Sequence, residues 1–341
     1  MKRWIIILAI LGLLLPAGLG LWLVGGLNSG YQGYSGPAAE VAIESGMSLG
    51  HIAATLSQAG VIESARLFKL GARLRGKATL FKRGYYRFEG ALSPLEVMDI
   101  LEEGRELLVK VTLPEGTRMR DIFAAVQAAG IKNEGRYEDW AQDRGFIKSL
   151  NLPVQPPHLE GFLFPETYSF SPRADERKVI SSMVEMFLQK IPGDYARRAE
   201  MVGLSWYQAV VLASIIEKET GRAEERPVIS SVFHNRLARG MKLQTDPTVI
   251  YGISDYQGNI RRKHLKDKNP YNTYVINGLP PTPIASPGLG ALDAAVEPAQ
   301  TSYLYFVGKG DGSHHFTTNY ADHQRAVKKY QLRRRQDYRS Y

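Results

Sequence analysis

Residues 205–221 constrain the fold of this chain more than any other stretch. Val210, Val211, Leu212, Ala213, Ile215 and Ile216 leave almost no polar face, and a helix that is apolar nearly all round must be covered on most sides. Its ends are marked. Ser205 stands where an N-cap belongs and Gln208 follows at capping-box spacing. Gly221 stands where a C′ glycine closes a helix. The fold is therefore expected to wrap around this helix. Its exit carries Glu217-Lys218-Glu219. Desolvation of a carboxyl there raises its pKa and keeps it protonated near neutral pH, the state a general acid needs. The plainer reading is a solvated glutamate at the end of a core helix. Periodicity does not choose between Glu217 and Glu219, since apolar residues stand one turn before each.

The N-terminus suggests where such chemistry takes place. Lys2 and Arg3 precede an uncharged run over residues 4–27, and about 20 apolar residues span a bilayer. The basic pair keeps the N-terminus cytoplasmic and the rest of the chain outside, with Trp4 and Trp22 as interfacial anchors. No Ala-x-Ala site follows, so an uncleaved anchor in the inner membrane is expected rather than a signal peptide. The 341 residues include no cysteine, which excludes disulfides and thiolate metal sites. The formal charge of +9 suits membrane lipid headgroups or an anionic polymer. Lys and Arg are scattered apart from Lys328-Lys329 and Arg333-Arg334-Arg335, which read as a solvated helix face. With an extracytoplasmic body, nucleic acid is not an expected partner.

Residues 28–39 read as a Gly-, Ser- and Tyr-rich linker. A repeat then appears at an offset of 70 residues: Val41 and Val111, Gly46 and Gly116, Ile52 and Ile122, Ala54 and Ala124, Gly60 and Gly130. Each copy reads as a short strand, a glycine turn and a helix ended by glycine. A further helix at 64–75, a strand near 84–88 and a helix opened by Ser93-Pro94 follow the first copy. This order resembles a LysM-type module, a binder of N-acetylated wall sugars; a small packing domain with no ligand is the plainer reading. The expected fold class is α+β: a transmembrane anchor over 1–27, the linker, a LysM-like module over 40–108, a mixed catalytic domain over 109–330 with a loop-rich C-terminal half, and a basic tail over 331–341.

Beyond Gly240 amides, hydroxyls and tyrosines alternate in dense clusters. Tyrosine rings offer flat faces with a polar tip, and short polar side chains bond sugar hydroxyls and acetamido groups. Gln244, Thr245, Asp246, Tyr251, Tyr271, Asn272, Tyr274 and Ser286 are the candidate substrate contacts, with Glu166 from an earlier loop; ordinary turns use the same residue types. His314, His315, His323 and Asp322 have no recognised metal-ligand spacing, so neither a metal nor a cofactor is expected.

Several segments in order resemble one family. They are Ala213-Ser-Ile-Ile-Glu-Lys-Glu-Thr220, Leu243-Gln-Thr-Asp-Pro-Thr248, Tyr271-Asn-Thr-Tyr274, Gly278-Leu-Pro-Pro281, Tyr305-Phe-Val307, Glu160-Gly-Phe-Leu-Phe-Pro-Glu-Thr-Tyr168 and Val232-Phe-His-Asn-Arg-Leu237. Together they resemble the YceG-like, or MltG, endolytic murein transglycosylases, over essentially the whole chain. The resemblance implies a single-pass inner-membrane enzyme that cuts peptidoglycan glycan strands internally. It also implies Glu217 as the catalytic acid and coupling to peptidoglycan synthases. A lytic transglycosylase can work with one carboxylate, acid first and then base on the muramoyl 6-hydroxyl, closing a 1,6-anhydro ring. A hydrolytic muramidase typically uses two, and Asp246 and Glu166 keep that alternative open. A non-catalytic wall-binding scaffold is the third.

Overall fold

The computed structural model describes residue 14 and residues 17–77, 79–131 and 133–332. Most of the expected anchor (1–13, 15–16) and nearly all of the basic tail (333–341) lie outside the described residues. The chain divides into two compact units, Met1–Val109 with Ser169–Arg173, and Lys110–Tyr168 with Ala174–Tyr341. The class is mixed α+β with small two-stranded sheets.

The first unit opens with an apolar helix, α1 (Ala17–Asn28). Leu27 at its end joins the core of the unit, whereas Leu19, Leu21, Trp22 and Val24 are exposed. Among the described residues no single helix is long and apolar enough to cross a membrane. Then come β1 (Ala38–Ile43), α2 (Leu49–Gln58), α3 (Ala65–Leu74), β2 (Gly84–Glu89) and α4 (Pro94–Glu103). β1 and β2 pair antiparallel, Ala38 opposite Glu89 through Ile43 opposite Gly84. Alternation turns Ala39, Val41 and Ile43 inward, onto a core with Phe68, Phe88 and Met98. α2, α3 and α4 each start on a serine: Ser48, Ser64 and Ser93 accept from the backbone three residues on. α4 carries a full capping box and ends on Gly104 at φ 74°.

The second unit is built around the predicted helix, α10. It holds most of β3 (Val109–Thr112), α5 (Met119–Ala128), α6 (Tyr137–Gln142), α7 (Arg144–Ser149), the first half of β4 (Thr167–Phe170), α8 (Glu176–Lys190), α9 (Tyr195–Met201), α10 (Trp206–Glu219), α11 (Arg226–Ala238), α12 (Asp246–Tyr251), α13 (Leu289–Val296), β5 (Tyr305–Gly308), β6 (His314–Thr317) and α14 (Tyr320–Val327). β3 pairs with β4 and β5 with β6. The Ser205–Gln208 capping box is present, and every residue from Ala209 to Ile216 is buried. α9, α11, α12 and α13 surround the helix. Truncating one of its isoleucines to alanine costs about 2–5 kcal/mol. At its N-terminus, Trp206 stacks on Phe162 at 5.9 Å, and Phe187 meets Phe162 edge-on at 5.5 Å.

Two local expectations fail. Gly221 does not close α10 in a left-handed turn. The helix ends at Thr220, which is extended (φ −145°, ψ 137°) while its N–H still reaches Ile216 O. The region beyond Gly240 also holds more helix than its composition suggests. Asp246-Pro247 opens α12 instead of a turn, because proline is tolerated in a first helical turn where its missing N–H is not needed.

Candidate active site

α10 delivers Glu217 into a junction of four segments. One carboxylate oxygen, Oε2, accepts the backbone N–H of Gly288 at 3.0 Å. The other lies 3.1 Å from Nη2 of Arg226, at the start of α11. That same nitrogen is 3.1 Å from Oε2 of Glu115, in the turn after β3. The Glu217 side chain is 6% exposed and that of Arg226 13%, whereas Glu115 is 47% exposed. Burial raises the Glu217 pKa above the usual carboxylate value; the Gly288 N–H and Arg226 pull it down, and Glu115 pushes it up. Two carboxylates thus share one guanidinium, which weakens its hold on either.

The segment around Gly288 is fixed by an alternating set of bonds. Ile284 N–H donates to the hydroxyl of Ser214 on α10 at 3.0 Å, and Ser286 N–H donates to Thr117 O at 2.9 Å. Gly116 N–H returns to Ser286 O at 2.8 Å. Ser214 is the polar residue inside the buried helix, and this bond is its use. Glycine is required at Gly116. Gly116 sits at φ 75°, where a Cβ would meet Lys218 Cδ at 3.3 Å and Glu217 Cγ at 3.6 Å. A Cβ on Gly288 would fall 1.8 Å from a Glu115 oxygen. Lys218 donates from Nζ to Gly116 O at 3.0 Å.

Glu219 faces the other way, onto a cleft of about 430 Å³. The cleft is lined by Lys218, Gln244, Asp246 and Tyr274, by the face of β5, and by Arg236 and His323. Thr245 Oγ1 donates to Glu219 Oε2 at 2.8 Å. Burial lifts Glu219 to about 7, opposed by that bond. Behind it Thr245, Thr248 and Thr273 form a buried hydroxyl cluster: Thr273 Oγ1 accepts from Thr245 N at 3.0 Å and lies 2.8 Å from Thr248 Oγ1. Gln244 is held at φ 52°, a left-handed conformation for a side-chain-bearing residue at the cleft wall.

The sequence-predicted residues separate into groups. Gln244, Asp246 and Tyr274 line the cleft together, with Tyr274 O–H donating to Asp246 Oδ1 at 2.8 Å. Thr245 and Asn272 are buried. Asn272 organises its own loop, donating to His264 O at 3.0 Å and Asp267 O at 2.8 Å. Ser286 is buried beside the Glu217 junction, and its hydroxyl has no partner among the described residues. Tyr251 and Tyr271 pair at 4.7 Å between ring centres. Tyr251 O–H donates to Glu160 Oε2 at 3.1 Å, and Tyr271 O–H bonds the hydroxyl of Thr282 at 2.8 Å. Glu166 lies 3.8 Å from Lys190 and does not line the cleft. His314 pairs with Glu225 at 2.7 Å, and His323 stacks on Tyr305.

Sequence reasoning missed Glu115, Arg226 and Gly288. Glu115 lies in the turn of the second repeat copy, where the glycine alone attracted notice. Its spacing from Arg226, 111 residues, gives no local signal. It also left out Glu160, whose buried carboxyl is lifted to about 7 although Met119 N–H and Tyr251 O–H both bond it.

A family model described as the YceG-like family matches residues 41–329. An endolytic murein transglycosylase of Bacillus subtilis (strain 168) is 32% identical over 303 residues, covering 84% of this chain and 83% of that protein. One of Streptococcus pneumoniae serotype 2 is 29% identical over 317 residues, and the chain spans 57% of that longer protein. The crystal structure of a YceG-like protein from Listeria monocytogenes superposes with a TM-score of 0.58 at 29% identity, covering 85% of this chain and 98% of that one. The match runs from the first repeat copy to the last helix and includes Glu115, Glu217, Arg226 and Gly288, so the chain belongs to the YceG-like family.

Proposed function

We propose that this protein is an endolytic murein transglycosylase that cuts the β-1,4 bond between N-acetylmuramic acid and N-acetylglucosamine within glycan strands. The observation that carries the reading is the Glu217 carboxyl, buried at the end of an apolar helix with its pKa raised. As general acid it gives its proton to the leaving oxygen. The anion it becomes is then held by Arg226 and the Gly288 N–H at 3.1 and 3.0 Å, preorganised donors that act where charge develops. The carboxylate next takes the proton of the muramoyl 6-hydroxyl, whose oxygen closes the 1,6-anhydro ring. No second carboxylate is required. Asp246 is engaged by Tyr274 and Glu166 faces Lys190, which favours this single-carboxylate course over the hydrolytic muramidase. One specific observation supports Glu219 as the acid instead: it lines the cleft directly and is lifted to about 7.

The strand–helix–helix–strand order of the first unit supports a LysM-like wall-binding module, and the uncharged run over 4–27 supports a single-pass inner-membrane anchor with an extracytoplasmic body. In that position the enzyme meets new strands leaving peptidoglycan synthases, its expected partners. Digestion of purified wall glycan with the wild type, Glu217→Gln and Glu219→Gln tests the reading. Loss of cleavage in Glu217→Gln with folding intact supports it; loss confined to Glu219→Gln moves the acid, and full activity in both removes the assignment.

A further inference from the structure

A second cavity of about 340 Å³, within the range of small-ligand sites, adjoins the cleft. Lys218, Pro247 and Ile250 line both. Its charge is uneven. Arg118, Arg120 and Lys218 reach it, against Asp121 and Asp255. Arg120 takes Asp121, at 3.4 Å. Arg118 has neither an ion pair nor a side-chain hydrogen bond among the described residues; its guanidinium lies 5.2 Å from the Tyr251 ring. Among the described residues Lys218 donates only to the carbonyl of Gly116. Burial lowers the pKa of both and cation crowds cation, Arg120 on Arg118 and Arg118 on Lys218, while Asp121 and Glu160 offset part of this at Arg118 and Glu217 and Asp121 offset part of it at Lys218. A partly buried positive charge with no direct ion pair is costly unless something anionic arrives to pair with it. Arg118 also occupies the N-cap position of α5 and makes no cap bond, so it is not there for the helix. The remaining wall sets Ile250, Ile253 and Ile284 beside Ser254 and Tyr256.

We propose that this cavity is a subsite for a carboxylate on the muramic-acid substituent of the strand whose sugars fill the cleft, with Arg118 as its principal partner and Arg120 and Lys218 beside it. The inference rests on the function proposed above. Two sources carry the same chemistry: the acidic residues of a peptide stem, or the bare lactyl group of a strand without stems. The three isoleucines of the wall suit aliphatic stem residues.

The test compares three glycans: strands bearing stems, strands stripped of stems, and stripped strands whose lactyl carboxylates are amidated. Arg118→Gln should raise KM about tenfold, the usual scale of one lost charge-assisted contact, with kcat little changed. The rise should appear on stem-bearing strands alone if the stem is bound, and on stripped strands with free lactyl carboxylates alone if the lactyl group is. An equal change on all three glycans, amidated strands included, overturns the subsite. Arg120→Gln, at a side chain 63% exposed, should give a smaller shift of the same pattern, and it decides the matter if Arg118→Gln does not fold. A direct readout accompanies turnover. Free stem tetrapeptide and N-acetylmuramic acid are titrated into the full chain, and at least one should bind and lose affinity in both variants. Binding of neither, or unchanged binding in the variants, overturns the proposal. Failure of the wild type to cleave any glycan would sink the enzymatic reading while these titrations still decide the subsite.

Discussion

In the first copy of the repeat, β1 passes through Gly46 at φ 84° into α2. In the second, β3 passes through Gly116 at φ 75° into α5. The backbones match, and each helix ends at a glycine of positive φ, Gly60 or Gly130. The side chains at equivalent positions do not. Ser48 caps α2 by accepting from His51 N–H at 3.2 Å. Its counterpart Arg118 has no acceptor to offer, and the first N–H of α5 goes instead to buried Glu160 at 2.9 Å. Ser45 corresponds to Glu115, which shares Arg226 with Glu217. A Cβ on Gly46 would meet nothing within 4 Å, whereas one on Gly116 would meet Lys218 and Glu217. One copy uses its turn for folding. The other surrenders its cap and places charge around a buried carboxyl, and neighbouring segments satisfy the backbone it leaves open.

The replacement of a cap by Glu160 predicts the largest effect. Its carboxyl titrates near 4.5 when free and about 7 in the fold. The raised value means that its contribution to stability is full below 4.5 and is lost as pH rises through 7. Glu219 acts in the same direction. Melting temperature should therefore fall between pH 4.5 and 7, by a share worth a few kcal/mol from Glu160. Glu160→Gln should flatten that slope; an unchanged slope would show that Glu160 is not protonated in the fold.

The glycines come next. Alanine at φ near 75–85° costs about 1–2 kcal/mol at either position. Gly116→Ala should also cut turnover on the order of 10²-fold, because relief of its strained φ moves the turn that carries Glu115 and the carbonyl that holds Lys218, while Gly46→Ala leaves turnover within about twofold of wild type. Equal losses in the two variants would break the contrast between the copies. Smaller and opposite shifts are expected at the shared guanidinium. Arg226→Gln removes a charge that lowers the Glu217 pKa, so the alkaline limb of kcat/KM should move to higher pH. Glu115→Gln removes one that raises it, so the limb should move to lower pH. Shifts of the same sign would mean that Glu217 does not set that limb. Smallest is the cap: Ser48→Ala should cost about 1 kcal/mol in melting experiments and leave turnover alone.

Much of this was legible in sequence because it is local. The capping box and apolar run of α10, both strand–turn–helix copies and the opening of α4 at Ser93 follow from neighbouring residues. The site was half legible. Gln244, Asp246 and Tyr274 do share a cleft, but Asn272 and Thr245 are buried as supports. A polar residue in a loop reads alike whether it faces a sugar or its own backbone. Glu217 and Glu219 stand on one helical turn and differ only in what comes to meet them: Gly288 and Arg226 for one, Thr245 for the other. Those partners lie 71, 9 and 26 residues away, beyond the reach of periodicity.

The central claim is that Glu217 is the acid of a transglycosylase, and the mass of the new sugar end after digestion of purified wall glycan tests it most directly. Wild type should leave a 1,6-anhydro muramoyl end, lighter by one water than a hydrolytic end. Glu217→Gln, folded to the same melting temperature, should leave at least about 10²-fold fewer new ends. Reducing muramoyl ends from the wild type, or undiminished cleavage by Glu217→Gln, would contradict the account.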